Sequence, residues 1–121
     1  MRIHHAVALA CALGLTVAAA PVMAEGLFGA IAFSPSTGKV GGGWNFVAQT
    51  EAVSEAVVQC GADDCGTVVV FPICAAVAVG DGYGMGFSAD ALVARSEETA
   101  LQNCDGFTTN CLVTMSFCNE G

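Results

Sequence analysis

Apolar and polar positions along the chain fall into two similar successions. Ala30-Ile31-Ala32-Phe33 and Ala76-Val77-Ala78-Val79 are short apolar runs beside turn residues, which is a strand signal. Turn chemistry follows each run: Ser34-Pro35-Ser36-Thr37-Gly38 in the first and Gly80-Asp81-Gly82-Tyr83-Gly84 in the second. Gly41 to Val47 and Gly84 to Phe87 then read as return strands, weakened by glycine. From Thr50 to Gln59 the period changes. Ala52, Val53, Ala56, Val57 and Cys60 recur on one face of a helix, with Thr50 as its expected N-cap. The counterpart, about Asp90 to Asn103, places Ala100, Leu101 and Cys104 on the corresponding face and Glu97 where Val53 sits. Thr67–Phe71 and Leu112–Phe117 are β-branched and aromatic, so a strand closes each succession.

The two successions align residue by residue. With Cys60 on Cys104, Glu55 to Cys60 lies on Thr99 to Cys104, and Cys65 to Phe71 lies on Cys111 to Phe117. The second inter-cysteine loop is two residues longer, and each glycine-rich turn leads to an aromatic, Trp44 or Phe87. The expectation is an α+β fold: two tandem strand–strand–helix–strand repeats, about 28–72 and 75–118, forming one small disulfide-stapled domain over 25–121. Two small sheets would carry their helices on one side.

The N-terminus changes the accounting. Arg2, His4 and His5 precede an apolar stretch from Ala6 to Ala20, and Val22 and Ala24 stand at −3 and −1 of a signal-peptidase site. Residues 1–24 are therefore expected to be a cleaved signal peptide, directing the chain to the periplasm or outside the cell. An uncleaved anchor is the competing reading, but the stretch barely reaches the length of a membrane span and has Pro21 near its end. Cleavage would remove both histidines and Arg2, leaving Lys39 and Arg95 against eleven acidic residues. Such an acidic domain lacks the clustered Lys and Arg that nucleic acid or an anionic membrane surface requires. No segment after residue 25 has the length of a membrane span.

Cleavage would also remove Cys11 and leave Cys60, Cys65, Cys74, Cys104, Cys111 and Cys118. An even count in a small exported domain reads as a disulfide framework, and six cysteines allow fifteen connectivities. Repeat symmetry favours Cys60 with Cys65 and Cys104 with Cys111, with Cys74 and Cys118 joined across the interface between repeats. On the loop-entropy model each local bridge stabilises by about 2 kcal/mol and the long one by about 4 kcal/mol. A zinc site competes less well, because the pairs are spaced more loosely than in many structural sites.

Without histidine, the Ser–His and Cys–His arrangements of nucleophilic catalysis fall away. The glycine runs lack the spacing and trailing Lys-Ser/Thr of a phosphate loop. Asp81-Gly82 lacks the alternating acids of a calcium loop. No cofactor or metal is expected. Carboxylates are the remaining catalytic candidates: Asp63, Asp64, Asp81, Asp90, Glu97, Glu98 and Asp105. A carboxylate-based hydrolase would need two of them across a cleft, and nothing in the spacing places them so.

Trp44, Phe46, Tyr83 and Phe87 gather around the glycine-rich turns. They either fill the core between repeats or form an interaction surface, since exposed aromatics anchor interfaces. The leading expectation is an exported, non-enzymatic interaction domain that binds a protein or envelope component. A structural or stress-related envelope protein without a specific ligand is the alternative.

Gly29 to Ser34 with the following glycine-rich stretch and Trp44, the helix ending Gln59-Cys60, Asp64-Cys65, and Ala75 to Gly82 together resemble a bacterial exported family, domain of unknown function 4189. The resemblance spans most of residues 27–118. It implies a secreted or periplasmic, disulfide-bonded repeat domain and carries no catalytic residues. Leu92, Val93, Arg95 and Glu97 depart from the small residues usual in the family's second helix.

Overall fold

A computed structural model describes residues 26–120; the expected signal peptide lies outside the described residues. The chain forms strands β1 (Phe28–Phe33) and β2 (Val40–Phe46), helix α1 (Gln49–Cys60) and strand β3 (Gly66–Phe71). It then repeats the succession as β4 (Cys74–Val79), β5 (Met85–Asp90), α2 (Val93–Asp105) and β6 (Leu112–Cys118). Each repeat builds its own antiparallel three-stranded sheet with its first strand in the middle, in the orders β2-β1-β3 and β5-β4-β6. The fold is α+β, as the patterning implies.

The alternation of strand side chains explains the layers. Ala30 and Ala32 of β1 point to α1, where they meet Ala52, Ala56 and Cys60. Ile31 points the other way, into a shared layer with Phe71, Ala75 and Val77. In the second sheet Ala76 and Ala78 face Ala100 and Cys104 of α2. The order is therefore helix, sheet, sheet, helix, with the bulkiest apolar side chains between the sheets. This corrects the expectation that both helices share a side. Each sheet has two apolar faces, and the face not covered by its own helix is buried against the other sheet.

Glycine lets the helices descend onto the strands. A Cβ on Gly41 would lie 2.1 Å from the backbone nitrogen of Cys60 and 2.3 Å from the carbonyl of Ala56. Gly86 faces α2 in the same way, 2.2 Å from Cys104 N and 2.5 Å from Ala100 O. Gly42 faces the opposite side, where Met115 and the ring of Phe117 take the space of its missing side chain.

The register also revises the repeat alignment. Gly42 pairs with Ile31 and Phe87 with Val77, so Phe87 is equivalent to Gly42 rather than to Trp44. The helices start later or earlier than expected. α1 begins at Gln49 after Ala48, so Thr50 lies inside the first turn and is not the cap. α2 begins only at Val93, because Asp90 ends β5 and accepts a 3.0 Å hydrogen bond from Leu92 N. The return strands shift as well, the first to Val40–Phe46 and the second to Met85–Asp90.

Three disulfides join Cys60 to Cys65, Cys104 to Cys111 and Cys74 to Cys118. These are the pairs that repeat symmetry favours, but the last lies elsewhere than expected. Cys74 opens β4 and stands directly opposite Cys118 of β6, so the bond crosses neighbouring strands of the second sheet. It does not bridge the two repeats.

This packing sets the expected stability of three variants. Gly41→Ala should lower the free energy of unfolding by about 3 kcal/mol or more, since the backbone of α1 must move. Gly66→Ala, with open space around it, should stay within about 0.5 kcal/mol of the parent. At the α2 position equivalent to Ala52 stands Ser96, whose buried hydroxyl has no hydrogen-bond partner among the described residues. Ser96→Ala should therefore raise stability by about 1 kcal/mol. Urea unfolding of the oxidised protein measures all three.

Candidate functional site

The four candidate aromatics divide between two grooves on opposite edges of the double sheet. β2 lies against β6 at one edge and β3 against β5 at the other. Trp44 and Phe46 line the first groove, of about 520 Å³, with Val40, Gly41, Gly43, Glu55, Gln59 and Met115 among its walls. Tyr83 and Phe87 line the second, of about 610 Å³, with Phe33, Asp64, Val68 and Phe107. The structure thus joins them in pairs and not in one surface. The rings are neither core nor free: Trp44 is 49% exposed, Tyr83 47% and Phe87 40%.

A β-bulge sets the first groove. The β1–β2 register slips between Phe28 and Ala30, and Asn45 takes a left-handed φ of 67°. Asn tolerates that region better than most residues. The bulge leaves Trp44 on the side of the second sheet, where its ring lies 4.8 Å from that of Phe117. It also turns Phe46 to the helix side, where it packs beside Phe28 and α1. The C-terminal segment holds this geometry. Asn45 N donates to Asn119 Oδ1 at 2.8 Å, and Glu120 N donates to Asn45 Oδ1 at 2.7 Å. Asn119 Nδ2 in turn donates to the carbonyl of Phe71 at 3.2 Å, where the chain crosses between sheets.

The second groove is set by the hairpin turns. Tyr83 has a left-handed φ of 64°, and its ring fills the space beside Gly38 in the turn of the first repeat. Phe107, just beyond α2, stands 78% exposed at the rim.

Carboxylates lock these turns to the inter-cysteine loops, by opposite routes in the two repeats. Ser34 Oγ donates to Asp64 Oδ1 at 2.5 Å, and Ser36 N donates to Asp64 Oδ2 at 3.0 Å. Thr37 completes the set by donating from Oγ1 to Ser34 Oγ at 2.8 Å. In the second repeat the carboxylate sits on the turn instead. Asp81 Oδ2 accepts from Thr109 Oγ1 at 3.1 Å and Asn110 Nδ2 at 2.7 Å. The hydroxyl of Ser34, then that of Ser36, stabilises the ionised form of Asp64 and draws its pKa below the ordinary carboxylate value.

Of the remaining acidic candidates, Asp63 lies beside Asp64 in a shallow pocket with Ser36, Thr37 and Lys39, outside both grooves. Glu97 accepts a hydrogen bond from Ser116 Oγ at 2.5 Å, which accounts for a polar residue on the helix face that Val53 occupies in α1. Each groove holds a single carboxylate, Glu55 in the first and Asp64 in the second. A hydrolase of the two-carboxylate type needs a pair, so neither groove has its catalytic set. Among the described residues no group of three His, Cys, Asp or Glu side chains is placed to hold a metal, and no helix is long and apolar enough to cross a membrane. Glu55, Gln59, Met115 and Phe107 were not foreseen as site residues. The i,i+4 pairing of Glu55 and Gln59 was visible on the helix, but its place beside β2 depends on Gly43.

The class is thus a duplicated α+β double sheet, stapled by disulfides and carrying an aromatic groove at each edge. The chain belongs to the family described as domain of unknown function (DUF4189), whose model matches residues 28–118. The family's description names no activity. The NMR structure of Rv1813c from Mycobacterium tuberculosis is similar in fold, with a TM-score of 0.60 at 22% identity, covering 83% of this chain and 81% of that one. A comparison with curated proteins finds no match.

The Asp64 lock carries a pH prediction. Because the folded-state pKa is lowered, the contribution is present above the ordinary carboxylate value and is lost as pH falls through the lowered one. The unfolding midpoint in urea should drop on acidification below about pH 4, and drop less in Asp64→Asn. At neutral pH Asp64→Asn should be the less stable protein. Equal acid sensitivity of the two would remove Asp64 from this role.

Proposed function

We propose that this chain is exported and acts as a non-enzymatic interaction domain, binding a protein or envelope component through its edge grooves. The observation that carries the reading is the half-exposure of Trp44, Tyr83 and Phe87 along rigidly braced apolar grooves. Buried rings would have favoured a structural role alone. Held half in water, they keep apolar area available to a partner at little cost in side-chain entropy. Three disulfides suit a domain working outside the reducing cytoplasm. The single carboxylate in each groove supports binding over hydrolysis.

The test is capture of envelope components by the oxidised domain beginning at Glu25. Trp44→Ala or Phe87→Ala should weaken a specific captured interaction roughly tenfold, as hot-spot truncation does. Glu98→Gln, at an exposed position that lines neither groove, should leave it unchanged. If neither aromatic truncation matters, the protein is a structural envelope component without a groove ligand.

A further inference from the structure

We propose that the first groove recognises a basic side chain, lysine or arginine, carried on an extended peptide segment. The inference rests on the interaction-domain reading and names the partner's chemistry at one of its two sites.

The shape comes from β2. Val40 to Trp44 line the groove consecutively, so it runs lengthwise along a sheet edge for about 13 Å. An extended chain laid along β2 matches the direction of that path. The glycine floor is buried beneath α1 and Met115, so recognition falls to the side chains at the rim.

The charge comes from α1. The stem of Glu55 lies over Gly43, whose missing side chain would approach Glu55 Cβ to 2.9 Å and Cγ to 3.2 Å. The Glu55 carboxylate is thereby held beside the strand position next to Trp44. Gln59 Nε2 donates to its Oε2 at 2.7 Å and steadies it. Trp44 presents an indole that is half exposed, and no Lys or Arg lines the groove. A half-exposed indole and a carboxylate lining one largely apolar channel make a receptor for a cation. The indole attracts it through its π-face and the carboxylate through its charge. Phe46 and Met115 cover the apolar stem of the same side chain or its neighbour.

Charge also argues against a second copy as the occupant. The chain carries three basic residues against eleven acidic ones, so another copy brings mostly repulsion to a groove that already holds a carboxylate.

Trp44 is the only tryptophan in the chain, so its emission reports on this groove. The oxidised domain is titrated with a short synthetic peptide alternating lysine and leucine, and with the counterpart carrying glutamate for lysine. The lysine peptide should shift Trp44 emission saturably, and the glutamate peptide should not. Glu55→Gln should weaken the lysine peptide about three- to fivefold. Glu98→Gln, an exposed acid on α2, should leave it unchanged. Trp44→Leu, followed by calorimetry, should weaken it by at least as much as Glu55→Gln.

Equal loss in Glu55→Gln and Glu98→Gln would mean attraction by net charge and would overturn the assignment. So would preference for the glutamate peptide, or a concentration-dependent emission shift without peptide, which would signal self-association. If neither peptide perturbs Trp44 while Trp44→Ala still abolishes capture of an envelope partner, the cation assignment falls and the interaction reading stands. If capture is also indifferent to both aromatic truncations, the interaction reading itself falls.

Discussion

The structure depends on how closely each helix approaches its sheet. At Gly41 and Gly86 the helix backbone occupies the volume that a side chain would need. Beside those glycines the helix-facing strand residues are small, Ala30, Ala32, Ala76 and Ala78, and they meet Ala52, Ala56, Ala100 and the cysteines of the helix faces. The larger apolar groups concentrate in the remaining layer, between the sheets, where Phe71 and Phe117 meet at 5.2 Å. Small-residue packing of this kind buries little area per contact and gains from dense dispersion contacts instead. The disulfides close the ends of both helices onto the following strands, which limits the freedom of a chain whose core residues are small.

Duplication supplies a common scaffold, and its edges have diverged. In one repeat β2 carries Gly42 under Met115 and Phe117; in the other, β5 has Phe87 at the same register position. The turn locks exchange donor and acceptor between the repeats, with Asp64 on the loop in one and Asp81 on the turn in the other. The same geometric need, tying a hairpin turn to an inter-cysteine loop, is met by either arrangement. The grooves inherit these differences. One has an indole and a glutamate beside a glycine floor; the other is larger in volume and lined by Tyr83, Phe87, Phe107 and Asp64.

Local patterning was sufficient wherever the controlling interaction is local or repeated. Strand alternation, the i,i+4 helix face and matched cysteines identified the elements of both repeats, the α+β class and the cysteine pairs. Helix starts failed because capping was decided by the two-residue links from β2 and β5. Ala48 and Leu92 hold the cap positions despite lacking a capping side chain.

What only the tertiary structure decided is the relation between the halves. The sequence by itself determined that glycine must lie in β2 and that aromatics must stand near it. It could not say that Gly41 and Gly43 face a helix while Gly42 faces a sheet, because glycine has no side chain to reveal a direction. Nor could it count the bulge at Trp44 and Asn45, a single extra residue that moves Trp44 and Phe46 to opposite faces. Packing the sheets face to face then sent the two aromatic pairs to opposite edges, turning one expected surface into two grooves.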